Sequence, residues 1–236
     1  NTRILFLDTS VGAGFPANSW QLVANDSASG GASFFSIDDF TATRSLLKLN
    51  AGARANSIFL SSSSNVGLGT ASPILALHML KGDTPGVRLE QDASSGFSAQ
   101  TWDVSGNEAN FFVRDITGGS RLPFRIRPGA PTSSIDIAAT GFVGIGTPSP
   151  AANLHIRSAT NPTLEFESTA AGLAKWTISV TGAGGLFSLK DLISGNSPLK
   201  VAPGALTNSI VIRSDGSLQF AGLPNCEKGI KTSATG

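Results

Sequence analysis

The chain has 236 residues, with 17 Lys and Arg against 16 Asp and Glu for a formal net charge of +1. So balanced a surface offers no electrostatic footprint for nucleic acid or an anionic membrane, and no apolar run approaches the ~20 residues that span a bilayer. Hydrophobic residues at 40% are enough for a core, while the single cysteine, Cys226, rules out a disulfide framework within the chain.

Short alternating runs begin at the N-terminus. "LFL" (5–7), "WQL" (20–22), "LKL" (47–49) and "IFL" (58–60) keep apolar outer positions around a variable middle one. That period of two predicts strands with one buried face. "VGLGTASPILALHM" follows at 66–79. Then come "VRL" (87–89), "WDV" (102–104), "FRI" (124–126) and "IDI" (135–137). "VGIGTPSPAANLHI" at 143–156 restarts the series, followed by "LEF" (164–166), "WTI" (176–178), "LKV" (199–201) and "IVI" (210–212). Gly, Ser, Asn, Asp, Thr and Pro fill the gaps and supply turn geometry. No window carries helical periodicity.

The series is an internal repeat of about 76 residues. Residues 1–65 form a copy lacking its opening segment. Residues 66–142 and 143–217 are full copies, and 218–236 resembles the start of another. One tryptophan falls in each copy (Trp20, Trp102, Trp176), and His78 matches His155. Phe34 is aligned with Phe111, and Asp38 with Asp115 and Asp191. The expected fold is all-β: tandem repeats, as β-sandwich or intertwined β-prism units, in an elongated fibre. A unit this small buries proportionally little surface. Without staples it must lean on neighbouring repeats or other chains.

The glycine motif invites a nucleotide reading. A dinucleotide fingerprint needs a third glycine and a following helix. Here Ser72 and Ser149 stand at the third glycine position and Pro follows. The structural reading puts Val143 and Ile145 on one strand face. It assigns Gly67, Gly69, Gly144 and Gly146 to close backbone approach or to torsions closed to other residues. The tryptophans are expected as core anchors, with sugar stacking as the alternative. His78 and His155 are expected to face solvent by alternation, with metal binding as the alternative. Phe35, Phe40, Phe97 and Phe112 are expected as exposed contact residues. Asp38, Asp115 and Asp191 suit turns. No nucleophile set or paired carboxylates are legible, so neither catalysis nor a cofactor is expected. Cys226 is a candidate inter-chain thiol, and Asn25-Asp26-Ser27 is a lone glycosylation triplet.

"NVGLGTASPILALHM" and "FVGIGTPSPAANLHI" resemble the "GNVGIGTTSPxxxLHV" repeat of bacterial cell-surface and phage tail-fibre proteins. The resemblance implies extracellular, β-rich, fibrous proteins, often homotrimeric, on a bacterial surface or a virion. The expected function is a structural fibre or filament for extension or attachment, with copies of the chain as partners, in a homotrimer or a head-to-tail filament. The alternative is a glycan-binding adhesin or receptor-binding module recognising surface glycans. The chain opens on Asn with no signal-peptide pattern, which reads as a processed product or a fragment. The truncated first copy and the surplus tail suggest completion of one chain by the tail of the next, through strand addition.

Overall fold

A computed structural model describes residues 2–220 apart from 11, 13, 15, 27–31, 171, 172, 183, 208, 213, 215 and 217. Cys226, Ser27 of the glycosylation triplet and the tail after Phe220 lie outside the described residues. The protein is all-β, with no helix among the described residues. It divides into two compact units, residues 1–128 and 129–236.

The first unit holds two four-stranded antiparallel sheets and a small mixed sheet. Strands β1 (Thr2–Phe6), β2 (Trp20–Asp26), β3 (Ala32–Asp39) and β4 (Arg44–Asn50) pair in chain order. Strands β5 (Phe59–Leu60), β6 (Val66–Leu68) and β7 (Leu77–Met79) make the small sheet. Strands β8 (Gly86–Gln91), β9 (Gln100–Gly106), β10 (Phe111–Asp115) and β11 (Arg121–Ile126) form the second meander. In the second unit, β12 (Asp136–Ile137), β13 (Val143–Ile145) and β14 (Leu154–Ile156) precede a meander of β15 (Thr163–Ser168), β16 (Ala174–Thr181), β17 (Leu186–Asp191) and β18 (Leu199–Val201). Strands β19 (Ile210–Ile212) and β20 (Leu218–Phe220) pair last.

The expected boundaries at 65/66 and 142/143 fall inside sheets. β5 pairs β6 through Phe59↔Gly67, and β12 pairs β13 through Asp136↔Gly144. The glycine motif is the middle strand of its sheet, so it marks the centre of a structural element rather than its start.

Cross-strand rows assign the two faces of each meander. Ile4–Leu22–Ile37–Leu47 is one row, Val87–Val104–Val113–Phe124 the second, and Leu164–Ile178–Leu189–Leu199 the third. Beside each lies a tryptophan row: Phe6–Trp20–Asp39–Arg44, Leu89–Trp102–Asp115–Arg121 and Phe166–Trp176–Asp191. Each meander therefore has one apolar face with acids at one margin. The opposite faces carry Ser36 and Lys48, Ser105 and Arg125, and Ser188 and Lys200 as cross-strand partners, directly or through one intervening strand.

These rows correct the N-terminal alignment by one residue. Ile4 and Phe6, not Leu5 and Leu7, share the tryptophan face. Phe35 and Asp39, not Phe34 and Asp38, occupy the places of Phe111 and Asp115. "ILFL", "FF" and "DD" read equally well in either register, so patterning could not choose. Pairing with Trp20 does choose, and a slip of one residue would turn every side chain to the other face.

The apolar faces are open. Among the described residues only Val23 and Phe112 are buried hydrophobics, and both sit on the polar faces. Long charged side chains cover those faces: the Arg114 guanidinium lies 4.7 Å from the Phe112 ring centre, and Lys48 Nζ lies 4.0 Å from that of Phe34. Such stems lie on apolar surface while their charges stay wet. Ser36, Thr177, Ser179 and Ser188 are buried in the central strands. Among the described residues no second layer covers the rows of Leu, Ile, Val and Phe, although a sheet must bury its apolar face against another element.

Candidate association surface

Two features recur with matching geometry: the glycine turns and the apolar sheet faces. In the turns, β6 and β7 run parallel with Val66↔Leu77 and Gly67↔His78, and β13 and β14 with Val143↔Leu154 and Gly144↔His155. Adjacent parallel strands usually need a connection of about a dozen residues or more. Residues 69–76 and 146–153 are shorter, which demands tight backbone packing.

The glycines make the space. A Cβ on Gly67 would collide with the Thr70 carbonyl oxygen, and one on Gly144 with that of Thr147. Gly69 and Gly146 take φ of +83° and +75°, and a Cβ there would strike the carbonyls of Leu80 and Arg157. Their amides donate to Asn56 O (2.8 Å) and Ser133 O (3.0 Å). Those amides, which a phosphate cradle would leave open, are engaged within the fold. Val143 is half-buried, while Ile145 is 36% exposed. Sequence reading missed the threonines: Thr147 is 1% exposed, and its Oγ1 accepts from the Ser149 amide at 3.3 Å, as Thr70 Oγ1 does from Ser72 at 3.1 Å. The signal was present in the "GT" common to both motifs.

The histidines differ from expectation. Leu77 is 53% exposed while His78 is half-buried, because β7 turns its leucine rather than its histidine outward. His78 Nδ1 is buried without a hydrogen-bond partner, whereas His155 Nδ1 accepts from the Ala151 amide at 3.3 Å. Phe35, Phe40 and Phe97 are exposed, but Phe112 is buried beneath Arg114, a second departure.

Trp20 is 39% exposed, and Trp102 and Trp176 are half-buried. Each stands within the apolar face of its own meander, and none is fully buried. At the margin the acids close turns. Asp39 Oδ1 accepts from the Ala42 amide (2.9 Å), Asp115 Oδ1 from Gly118 (2.8 Å) and Asp191 Oδ1 from Ile193 (2.8 Å). Asp38, assigned to this role by sequence, instead accepts from Gln21 Nε2 at 3.0 Å on the polar face. An apolar centre with a polar rim is the anatomy of an interface.

No known family model matches the chain, and a search of curated proteins finds no relative.

Two carboxylates tie stability to pH. The Arg88 side chain, bonded to Asp103 at 2.8 and 3.1 Å, holds its carboxyl below the ordinary 3.8. The Ser194 hydroxyl and Ile193 amide do the same for Asp191. A carboxyl depressed in the folded state contributes stability above its unfolded value, and loses it as pH falls through the folded one. The urea midpoint is expected to stay level from neutrality to about pH 5 and drop below about pH 4. Asp103→Asn should flatten part of that drop. A midpoint rising on acidification would contradict this assignment.

Proposed function

We propose that this chain is a structural segment of an extracellular fibre or filament, self-associating through tandem β repeats, for extension or surface attachment. One observation carries the reading: three meanders each leave a continuous apolar face open, with the tryptophan row in the same place on each. Open apolar sheet faces of this kind mark protein interaction sites. Copies of the same chain supply faces of the same chemistry, and burial at about 25 cal/mol per Å² then stabilises what a single layer cannot.

The polar faces and sheet edges support association by faces rather than by strand addition. Edge strands carry charges or proline: Arg3 in β1, Lys48 in β4, Pro123 and Arg125 in β11, Glu165 and Glu167 in β15, and Lys200 in β18. Such residues blunt an edge against pairing.

Static light scattering tests the proposal. The expected mass is a multiple of 24.1 kDa, with rods or filaments in electron micrographs. A monodisperse 24.1 kDa species at high concentration overturns it.

A further inference from the structure

The polar face of the second meander carries a charged row unlike the corresponding rows of the other two. A cleft of about 300 Å³ lies in the first unit, and Lys81, Arg88, Asp103, Ser105 and Arg114 line it together with Gly86. They come from the connection after β7 and from three adjacent strands. Arg88, Asp103 and Arg114 form one cross-strand row. Three cations therefore line the cleft with one carboxylate, while Glu90 stands near Arg88 outside the lining.

Asp103 is already engaged. It takes both bonds of the Arg88 fork, at 2.8 and 3.1 Å. Arg114 has its guanidinium stacked over Phe112, with no hydrogen-bond or ion-pair partner for it among the described residues. That contact holds the guanidinium over the ring, 4.7 Å from its centre, with its N–H donors making no hydrogen bond among the described residues. Gly86 keeps the floor open, because a Cβ there would collide with Ser105 Oγ. Ser105 is 8% exposed.

The fold does not need these charges. In the first meander the row beside the tryptophan row is Leu5–Gln21–Asp38, and in the third it is Glu165–Thr177–Lys190. Both sheets form with the same pairing and a net charge of −1 or zero in that row. Ser158 occupies the position of Lys81. In this row the second meander alone of the three carries a surplus of positive charge, and sheet formation does not account for it.

We propose that this cleft binds an oxyanion, a carboxylate or phosphate group on a polar ligand. Arg114 and Lys81 contact the anion, Ser105 donates its hydroxyl, and the Asp103–Arg88 pair holds the wall in place. A planar guanidinium with free edge donors matches the two oxygens of either group. The cleft lies on the polar face, so the inference stands whether or not copies cover the apolar faces.

The test is calorimetric titration of the intact chain with inorganic phosphate, with glucuronate and with glucose, its association state being checked by light scattering on the same sample. Saturable binding of phosphate or glucuronate, but not glucose, is expected, weakening with added salt. The tighter of the two anions identifies the source of the group. Arg114→Met, which keeps a stem over Phe112, and Lys81→Gln should each weaken binding at least tenfold. Lys48→Gln, on the polar face of the first meander, should leave it unchanged. Circular dichroism checks that each variant keeps its sheets, and Arg114→Lys should restore part of the affinity. Absence of saturable anion binding overturns the proposal, as does an equal loss in Lys48→Gln.

Discussion

Ile178→Lys is expected to weaken self-association of the chain by more than a hundredfold. Ile178 lies in the central strand β16, paired with Leu164 on one side and Leu189 on the other. It is 36% exposed. In an isolated chain the lysine would reach water, so the sheet itself should form. In an assembly whose apolar faces meet, the charge would be buried without a partner in every copy. An uncompensated buried charge costs about 3–5 kcal/mol, and each 1.4 kcal/mol is about a factor of ten in an equilibrium constant. Lys190→Gln, on the polar face of the same meander, is the control and should leave the assembly intact. Sedimentation of the two variants side by side separates the cases. Equal association of Ile178→Lys and the unmodified chain would remove the apolar faces as the contact surface.

The second large effect concerns the glycine turns and needs no partner. Gly146→Ala is expected to destabilise the second unit by about 3 kcal/mol, combining ~1–2 for a side chain in the left-handed region with ~1–3 for forcing atoms into occupied space. The φ of +75° and the Arg157 carbonyl in the path of the Cβ supply the two terms. Gly204→Ala is the matched control. It has φ of +78° but no atom within 4 Å of the added carbon, so only the torsional cost remains, about 1–2 kcal/mol. Urea denaturation monitored by tryptophan fluorescence compares them, since Trp176 lies in the same unit. Similar losses for both variants would mean that the carbonyl yields and that close approach is not what the motif provides.

The two glycines of "VGIGT" illustrate what was legible in the sequence. A motif met twice, with Ser in place of the third glycine and no helix behind it, already read as architecture. The structure adds that the first glycine serves close approach and the second both close approach and torsion. All-β character was equally plain, because period-two runs separated by turn residues have no helical interpretation. The faces of β2 and β4 followed from "WQL" and "LKL".

Register in β1 and β3 did not follow. Ile4, Leu5, Phe6 and Leu7 are all apolar, and Phe34–Phe35 and Asp38–Asp39 are doublets, so hydrophobic pattern is blind to a shift of one. Hydrogen-bonded pairing to Trp20 resolves it, and pairing is a non-local property. The same limit hid Phe112, whose burial depends on Arg114 folding over it, and His78, whose strand turns Leu77 outward.

The sequence by itself determined the alternation of each strand and the places where the chain must turn, because both rest on local stereochemistry. Only the tertiary structure decided which side of each sheet meets water within one chain. Alternation predicts that the apolar side is buried, yet Ile137 is 75% exposed. Burial requires a second surface, and the spacing of residues along the chain does not specify one.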